Sequence, residues 1–175
     1  YPTVEALGQP ESRIAGLRLN PNNFSPSRQA FVNNFILKNI QSGKEYAVSG
    51  LPPNLLAGNT TWNASETKIA FTNTTGSKVD LYLIDVSTQK ATKINRQHVN
   101  TVLGAAYTWV DDNTILYKAT TEASANAPKR PITPKGPTIQ QSLGKAAPSP
   151  TFQDLIKSPY DEQLFEFYAN AQLIQ

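Results

Sequence analysis

Thr60-Thr61-Trp62, Asn63-Ala64-Ser65-Glu66-Thr67, Lys68-Ile69-Ala70-Phe71-Thr72, Val79-Asp80-Leu81-Tyr82-Leu83-Ile84-Asp85, Ser87-Thr88-Gln89-Lys90 and Ala91-Thr92-Lys93-Ile94 follow one another along residues 60–94. Short apolar runs rich in β-branched and aromatic residues alternate with clusters of turn formers. That pattern predicts strands joined by tight connections, and the stretch reads as a four-stranded β-meander. Leu81, Leu83 and Asp85 alternate with Tyr82, Ile84 and Val86, so both faces of this strand carry apolar side chains. Such a strand is expected to be buried between two layers.

The pattern extends in both directions. Trp62, a polar turn and Lys68-Ile69-Ala70-Phe71 are echoed by Trp109, the turn Asp111-Asp112-Asn113 and Thr114-Ile115-Leu116-Tyr117, with the tryptophans 47 residues apart. Upstream, Phe35-Ile36-Leu37-Lys38-Asn39-Ile40 with the turn Gln41-Ser42-Gly43-Lys44 mirrors Leu81 to Lys90 at an offset of 46. Two independent features at nearly one period, with four strands per period, are the signature of a β-propeller, in which each blade buries its faces against its neighbours. The fold expected is therefore all-β, a partial propeller of about two to three four-stranded blades within residues 1–120. A β-sandwich with similar hairpins is the competing reading. In either fold the matched tryptophans are expected to be strand-end core residues rather than stacking platforms for a ligand.

Composition agrees with a strand-rich domain. Hydrophobic residues make up 39% and charged residues 17% of 175 residues, and Ser, Thr and Asn fill the connections. The net charge of +3 comes from scattered basic residues, with Lys129-Arg130 the exception, so neither nucleic acid nor an anionic membrane is an expected partner. The absence of cysteine excludes disulfides, thiol catalysis and Cys-ligated zinc, while leaving the compartment open. No apolar run approaches the roughly 20 residues of a membrane span. The chain opens at Tyr1 and holds no methionine, as expected of a processed or cut polypeptide whose leader is gone. Asn23, Asn59, Asn63 and Asn73 each open an Asn-x-Ser/Thr triplet, expected by chance in a chain this rich in Asn and Thr.

Beyond residue 120 the texture changes. Pro128, Pro131, Pro134, Pro137, Pro148 and Pro150 interrupt residues 121–150, so that neither helix nor ladder can run, and an extended connector is expected. Residues 151–175 then carry two helix starts. Thr151 with Asp154 and Ser158 with Asp161 both fit the N-cap pattern, Pro159 suits the first helical position, and Leu164, Phe167, Tyr168 and Ala171 share a face. The exit Gln172-Leu173-Ile174-Gln175 reads as the start of a further strand.

Catalytic motifs are missing. His98 is the single histidine, in the polar stretch Asn95-Arg96-Gln97-His98, and no Gly-x-Ser-x-Gly elbow presents a serine to it. One histidine without cysteine cannot build a usual zinc site, and Asp111-Asp112 and Asp161-Glu162 suit a β-turn and a helix N-terminus. No phosphate-cradling glycine loop occurs. Neither metal nor cofactor is expected.

The segments Arg130-Pro131-Ile132-Thr133-Pro134-Lys135-Gly136-Pro137-Thr138-Ile139-Gln140, Thr151-Phe152-Gln153-Asp154-Leu155-Ile156 and Tyr160-Asp161-Glu162-Gln163-Leu164-Phe165-Glu166-Phe167-Tyr168-Ala169-Asn170-Ala171-Gln172-Leu173 resemble the glutamyl endopeptidase branch of the prolyl oligopeptidase-like serine peptidases. Ile14-Ala15-Gly16-Leu17-Arg18-Leu19 and Arg28 look like that family's early propeller segment; Gln141 to Pro150 departs from its pattern. The resemblance implies a two-domain parent, in which a propeller caps a C-terminal α/β-hydrolase domain whose Ser, Asp and His cleave peptides, with a preference after glutamate. None of that triad maps onto this chain. The chain is then expected to be a non-catalytic portion of a secreted or periplasmic peptidase, restricting access to the hydrolase domain and contributing contacts to a peptide substrate. Arg18 and Arg28 are the candidate substrate-binding residues, because an enzyme that selects an acidic side chain needs a cation, best a planar guanidinium. The alternative is a free-standing propeller-like protein-binding scaffold. With two to three blades the ring cannot close, so uncovered faces and strand edges predict self-association.

Overall fold

The computed structural model describes residues 8–132 and 154–175, with the isolated positions 4 and 144. Within them lie twelve strands in four antiparallel sheets, one α-helix and a single 3-10 turn at Ser124–Asn126. The fold is thus mostly β, as the composition predicts, and no closed propeller is formed among the described residues.

At the centre is the predicted meander. Strands β6 (Ala57–Trp62), β7 (Lys68–Thr74), β8 (Val79–Asp85) and β9 (Lys90–Lys93) form one four-stranded sheet in sequence order. Its turns are built by side chains that replace missing backbone partners. Asn63 Oδ1 accepts from the amides of Thr67 and Lys68, both at 2.9 Å, and Asp85 Oδ1 accepts from the Thr88 amide at 2.9 Å. A bulge between Gly58 and Thr61 in β6 puts Asn59 at φ 49°.

The antiparallel register explains why β7 and β8 are buried on both sides. Ile69 pairs with Ile84 and Phe71 with Tyr82, whereas Ala70 pairs with Leu83 and Thr72 with Leu81. Pairs alternate between the two faces. The Ile69, Phe71 and Ile84 face packs against Val48, Leu55, Phe35 and Leu37. On the other side Ala70, Val79 and Leu81 pack against Val99, Tyr107, Tyr117 and Ala119.

The neighbours on each side are partial copies of the same unit. Strands β4 (Ile36–Lys38) and β5 (Glu45–Ala47) form a hairpin that pairs Ile36 with Ala47, Leu37 with Tyr46 and Lys38 with Glu45. The β8–β9 hairpin pairs Tyr82 with Lys93, Leu83 with Thr92 and Ile84 with Ala91, the same register displaced by 46 residues on both strands. On the opposite side β10 (Tyr107–Trp109) and β11 (Ile115–Thr120) repeat the β6–β7 hairpin, with Trp109 opposite Ile115 as Trp62 is opposite Ile69.

The third strand of this last sheet comes from the far end of the chain. Strand β12 (Ala171–Ile174) pairs antiparallel with β11, from Tyr117 opposite Ile174 to Thr120 opposite Ala171. The Pro-rich segment and the helix are therefore inserted between two adjacent strands of one sheet. The described part of the connector, residues 121–132, carries only the 3-10 turn, and the remainder up to residue 153 lies, apart from position 144, outside the described residues.

Helix α1 (Pro159–Ala169) begins as its sequence predicts: Ser158 is extended and its hydroxyl accepts from the Asp161 amide at 3.2 Å, with Pro159 in the first turn. Ala171 belongs to β12 rather than to this helix. Tyr168 is buried with Ile14, Leu19 and Phe24, and its ring centroid lies 5.2 Å from that of Phe24. Ile14 and Leu19 belong to the N-terminal sheet of β1 (Ser12–Ile14), β2 (Leu17–Asn20) and β3 (Ser25–Pro26), and Phe24 to the turn between β2 and β3; the helix packs on them.

Two expectations are corrected. The helix start at Thr151 and Asp154 does not produce a helix over the residues described: 154–157 are irregular and Asp154 stands at φ 57°. Thr151 itself lies outside the described residues. The segment before Ser158 is too short for a stable helix, and the extended residue preceding Pro159 would end one. Trp62 is not a core residue; it ends its strand beside a turn and is 49% exposed. Its counterpart Trp109 is half-buried and donates from Nε1 to Thr61 Oγ1 at 3.1 Å, tying the two repeats together.

Candidate functional site

Two clusters of charge stand out, one around Glu11 and one around Asp80. Glu11 precedes β1, and its carboxylate collects three groups from two segments, Arg13 in β1 and the consecutive Ser27 and Arg28. Oε1 accepts from Arg13 Nε at 2.9 Å, and Oε2 accepts from Ser27 Oγ at 2.7 Å and lies 3.2 Å from Arg28 Nε. The Ser27 hydroxyl and the Arg13 guanidinium hold this carboxyl below its usual range. Arg28 stands at φ 58°, a conformation uncommon for a residue with a Cβ. Arg18 sits at the middle of β2, directly opposite Arg13, and is exposed. The structure therefore places both predicted arginines at one sheet, with Arg28 engaged by Glu11 and Arg18 in no ion pair among the described residues.

Asp80 is the charged residue that the sequence reading passed over. It occupies the second position of β8, where its partner across the strand pair is Asn73, and it is buried. Lys93 Nζ approaches Oδ1 at 2.8 Å, Lys78 Nζ approaches Oδ2 at 3.2 Å, and Asn95 Nδ2 donates to Oδ1 at 3.1 Å. Burial pushes the carboxyl up, but the hydrogen bonds from Lys93, Asn95 and Lys78 outweigh it and hold the group below its usual range. An acid between Val79 and Leu81, inside the apolar run of β8 rather than at its turn end, was the available signal.

His98 joins this cluster from the loop after β9, with Nδ1 3.7 Å from Asp80 Oδ1. An aspartate beside a histidine is two-thirds of a hydrolytic triad, yet 3.7 Å is too long for the orienting hydrogen bond, and Lys93 occupies the same oxygen. Among the described residues no serine hydroxyl is bonded to His98, and no group of three acidic or histidine side chains is placed to hold a metal ion. No helix among them is long and apolar enough to cross a membrane.

The Asn-x-Ser/Thr triplets resolve by burial. Asn23, Asn63 and Asn73 are buried and their amides are committed: Asn23 Nδ2 donates to the Thr75 carbonyl at 2.8 Å, and Asn73 Oδ1 accepts from the Leu56 amide at 3.0 Å. Glycans on these three are incompatible with the folded chain. Asn59 is exposed, with Nδ2 donating to Thr72 Oγ1 at 3.1 Å.

Comparison with known proteins follows the same chain from end to end. It is 28% identical over 186 residues to an Arabidopsis thaliana protein described as a probable glutamyl endopeptidase, chloroplastic, covering 99% of this chain and 19% of that protein. A protein of the same description from Oryza sativa subsp. japonica is 27% identical over 187 residues, covering 99% of this chain and 20% of the relative. The chain thus spans about a fifth of the length of the curated relatives it matches. No family model matches it, and no solved structure gives a significant match. These findings support a relationship to peptidases and no finer class.

Proposed function

We propose that this chain is the N-terminal, non-catalytic portion of a peptidase of the glutamyl endopeptidase kind, a propeller segment that restricts access to a separate α/β-hydrolase domain. The observation that carries the reading is co-linearity: 99% of the chain aligns with relatives about five times its length. The fold supports it through the repeated registers and the face-to-face stacking of the sheet β6–β9 between two partial copies, the packing that blades use. The 3.7 Å Asp80–His98 contact with no serine bonded to the histidine among the described residues, and a sequence without a Gly-x-Ser-x-Gly elbow, are in keeping with chemistry supplied by a separate domain.

In this reading Arg18, and Arg28 beyond its Glu11 contact, face an acidic group of a peptide substrate. The partners are that peptide and the hydrolase domain of the same polypeptide, the location is periplasmic or secreted, and the uncovered strand edges lead to self-association. The test compares the full-length protein with residues 1–175 alone, using glutamate-containing peptides and a serine-directed phosphonate probe. The full-length protein is expected to be labelled and to cleave, and the chain alone to do neither. Cleavage by the purified chain that disappears in His98→Ala would overturn the proposal. In the full-length protein, Arg18→Ala should raise KM for glutamate peptides and leave neutral esters unaffected; equal effects on both would remove Arg18 from the site.

A further inference from the structure

Where β8 begins and β9 ends, one buried carboxylate is surrounded by more basic groups than it needs. The Asp80 side chain is 5% exposed and is reached by two ammonium groups, an amide and an imidazole. One cation balances the charge of a buried carboxylate, and neutral donors can satisfy its remaining lone pairs. The basic groups come from three segments, Lys78 before β8, Lys93 at the end of β9 and His98 in the following loop. Their side chains are 37%, 38% and 51% exposed. Among the described residues no second carboxylate lies within ion-pair distance of any of them. Positive charge is therefore held together on the inside by Asp80 and left uncompensated on the outside.

The backbone that carries these groups is tied down around Asp80. Asn95 receives the Leu81 amide at 2.8 Å on Oδ1 and donates from Nδ2 to Asp80 and to the Gln97 carbonyl, which pins the loop that carries His98. Each ammonium has three N–H donors and spends one on Asp80, so two remain for another acceptor. Basic groups from three segments grouped around one carboxylate can together offer three contacts, the number of oxygens on one face of a tetrahedral oxyanion. A planar carboxylate offers only two.

We propose that Lys78, Lys93 and His98, arranged around Asp80, form a binding site for one phosphate-class oxyanion, supplied as inorganic phosphate or as a phosphate monoester. The site is separate from Arg18 and Arg28 and does not depend on the peptidase reading.

His98 is the single histidine, so its imidazole resonances can be followed in the intact chain without assignment by mutation. Inorganic phosphate and phosphoserine are titrated separately at constant pH and ionic strength, with chloride as the balancing anion. The expected result is a saturable shift of the His98 resonances, weakened about tenfold or more in Lys78→Gln/Lys93→Gln and unchanged in Lys44→Gln, whose side chain lies over Tyr46 in the β4–β5 hairpin. Tighter binding of phosphoserine marks a monoester as the ligand, and tighter binding of inorganic phosphate marks the free anion. A shift that never saturates, or saturation that survives loss of both lysines, overturns the site. Should the double variant fail to fold, the native titration against chloride alone decides between saturation and its absence.

Discussion

Asn100, in the loop before β10, donates from its side-chain Nδ2 to the backbone carbonyl of Tyr168 at 2.9 Å, across 68 positions of sequence. The same nitrogen donates to the Asn170 carbonyl at 2.9 Å, while Oδ1 accepts from the Val102 amide at 3.0 Å. The last carbonyls of a helix have no partner within it, and here a buried side chain supplies one. One amide thus holds the end of α1, the entry to β12 and the 100–102 loop together.

Replacing Asn100 by alanine removes that link and leaves buried groups unsatisfied, which costs about 1–3 kcal/mol. The loss should be local before it is global. Urea unfolding of Asn100→Ala should show the reduced stability, and hydrogen exchange should show the α1 and β12 amides deprotected more than those of β7 and β8. Uniform deprotection across all four sheets would contradict the assignment.

Phe71 tests the stacking of the central sheet. Its ring is fully buried, with its centroid 4.8 Å from that of Phe35 and 5.4 Å from that of Tyr82, so it bridges the sheet and the residues preceding β4. Phe71→Ala should cost about 3–5 kcal/mol, the range for truncating a buried aromatic. Ile36→Ala, on the exposed side of β4, should stay within about 0.5 kcal/mol. Thermal melts of the two variants against the native chain check the contrast.

Gly50 is demanded twice over. Its φ is +73°, and a Cβ added there would lie 2.4 Å from the Ala91 carbonyl oxygen, where residues 49 and 90 form a parallel bridge. Gly50→Ala should therefore destabilise by more than about 1 kcal/mol. Gly43→Ala is the control, since its φ of +70° is similar but nothing lies within 4 Å of the added carbon. Chemical denaturation of both variants separates the backbone strain they share from the collision found only at Gly50.

How much of this was legible in the sequence depended on the range of each interaction. The β6–β9 meander was readable because alternation and turn chemistry are local, and Asn63 and Asp85 do build the turns their positions predict. The hairpin repeat was readable because Ile36 and Tyr82 hold equivalent register positions at a constant offset. The pairing of β12 with β11 was not, since residues 121–170 separate them and no local pattern names the partner of an edge strand. The Asp80 cluster was hidden for the same reason, its three basic groups coming from separate segments. The Glu11–Arg28 pair was equally out of reach, because it depends on how the chain turns after β3.

Tyr107 supplies a pH-dependent prediction with a definite sign. Its hydroxyl lies under the bulge in β6, where it reaches the carbonyls of Asn59 and Ala70, the latter at 2.8 Å, and accepts from Thr61 Oγ1 at 3.0 Å. Burial disfavours the phenolate and pushes the group from 10.0 up to about 12, the Thr61 hydrogen bonds opposing this only in part. A raised folded value means that folding favours the protonated phenol. The contribution is fully present below pH 10 and is lost as pH rises through about 12, because the unfolded chain ionises first. Tyr107→Phe keeps the ring and removes the hydroxyl, so it should cost about 0.5–1.5 kcal/mol at neutral pH. It should also flatten the loss of stability between pH 10 and 12 relative to the native chain. Denaturant unfolding at a series of alkaline pH values measures both effects, and a native and a variant curve that run parallel through that window would show that the Tyr107 hydroxyl titrates as freely folded as unfolded.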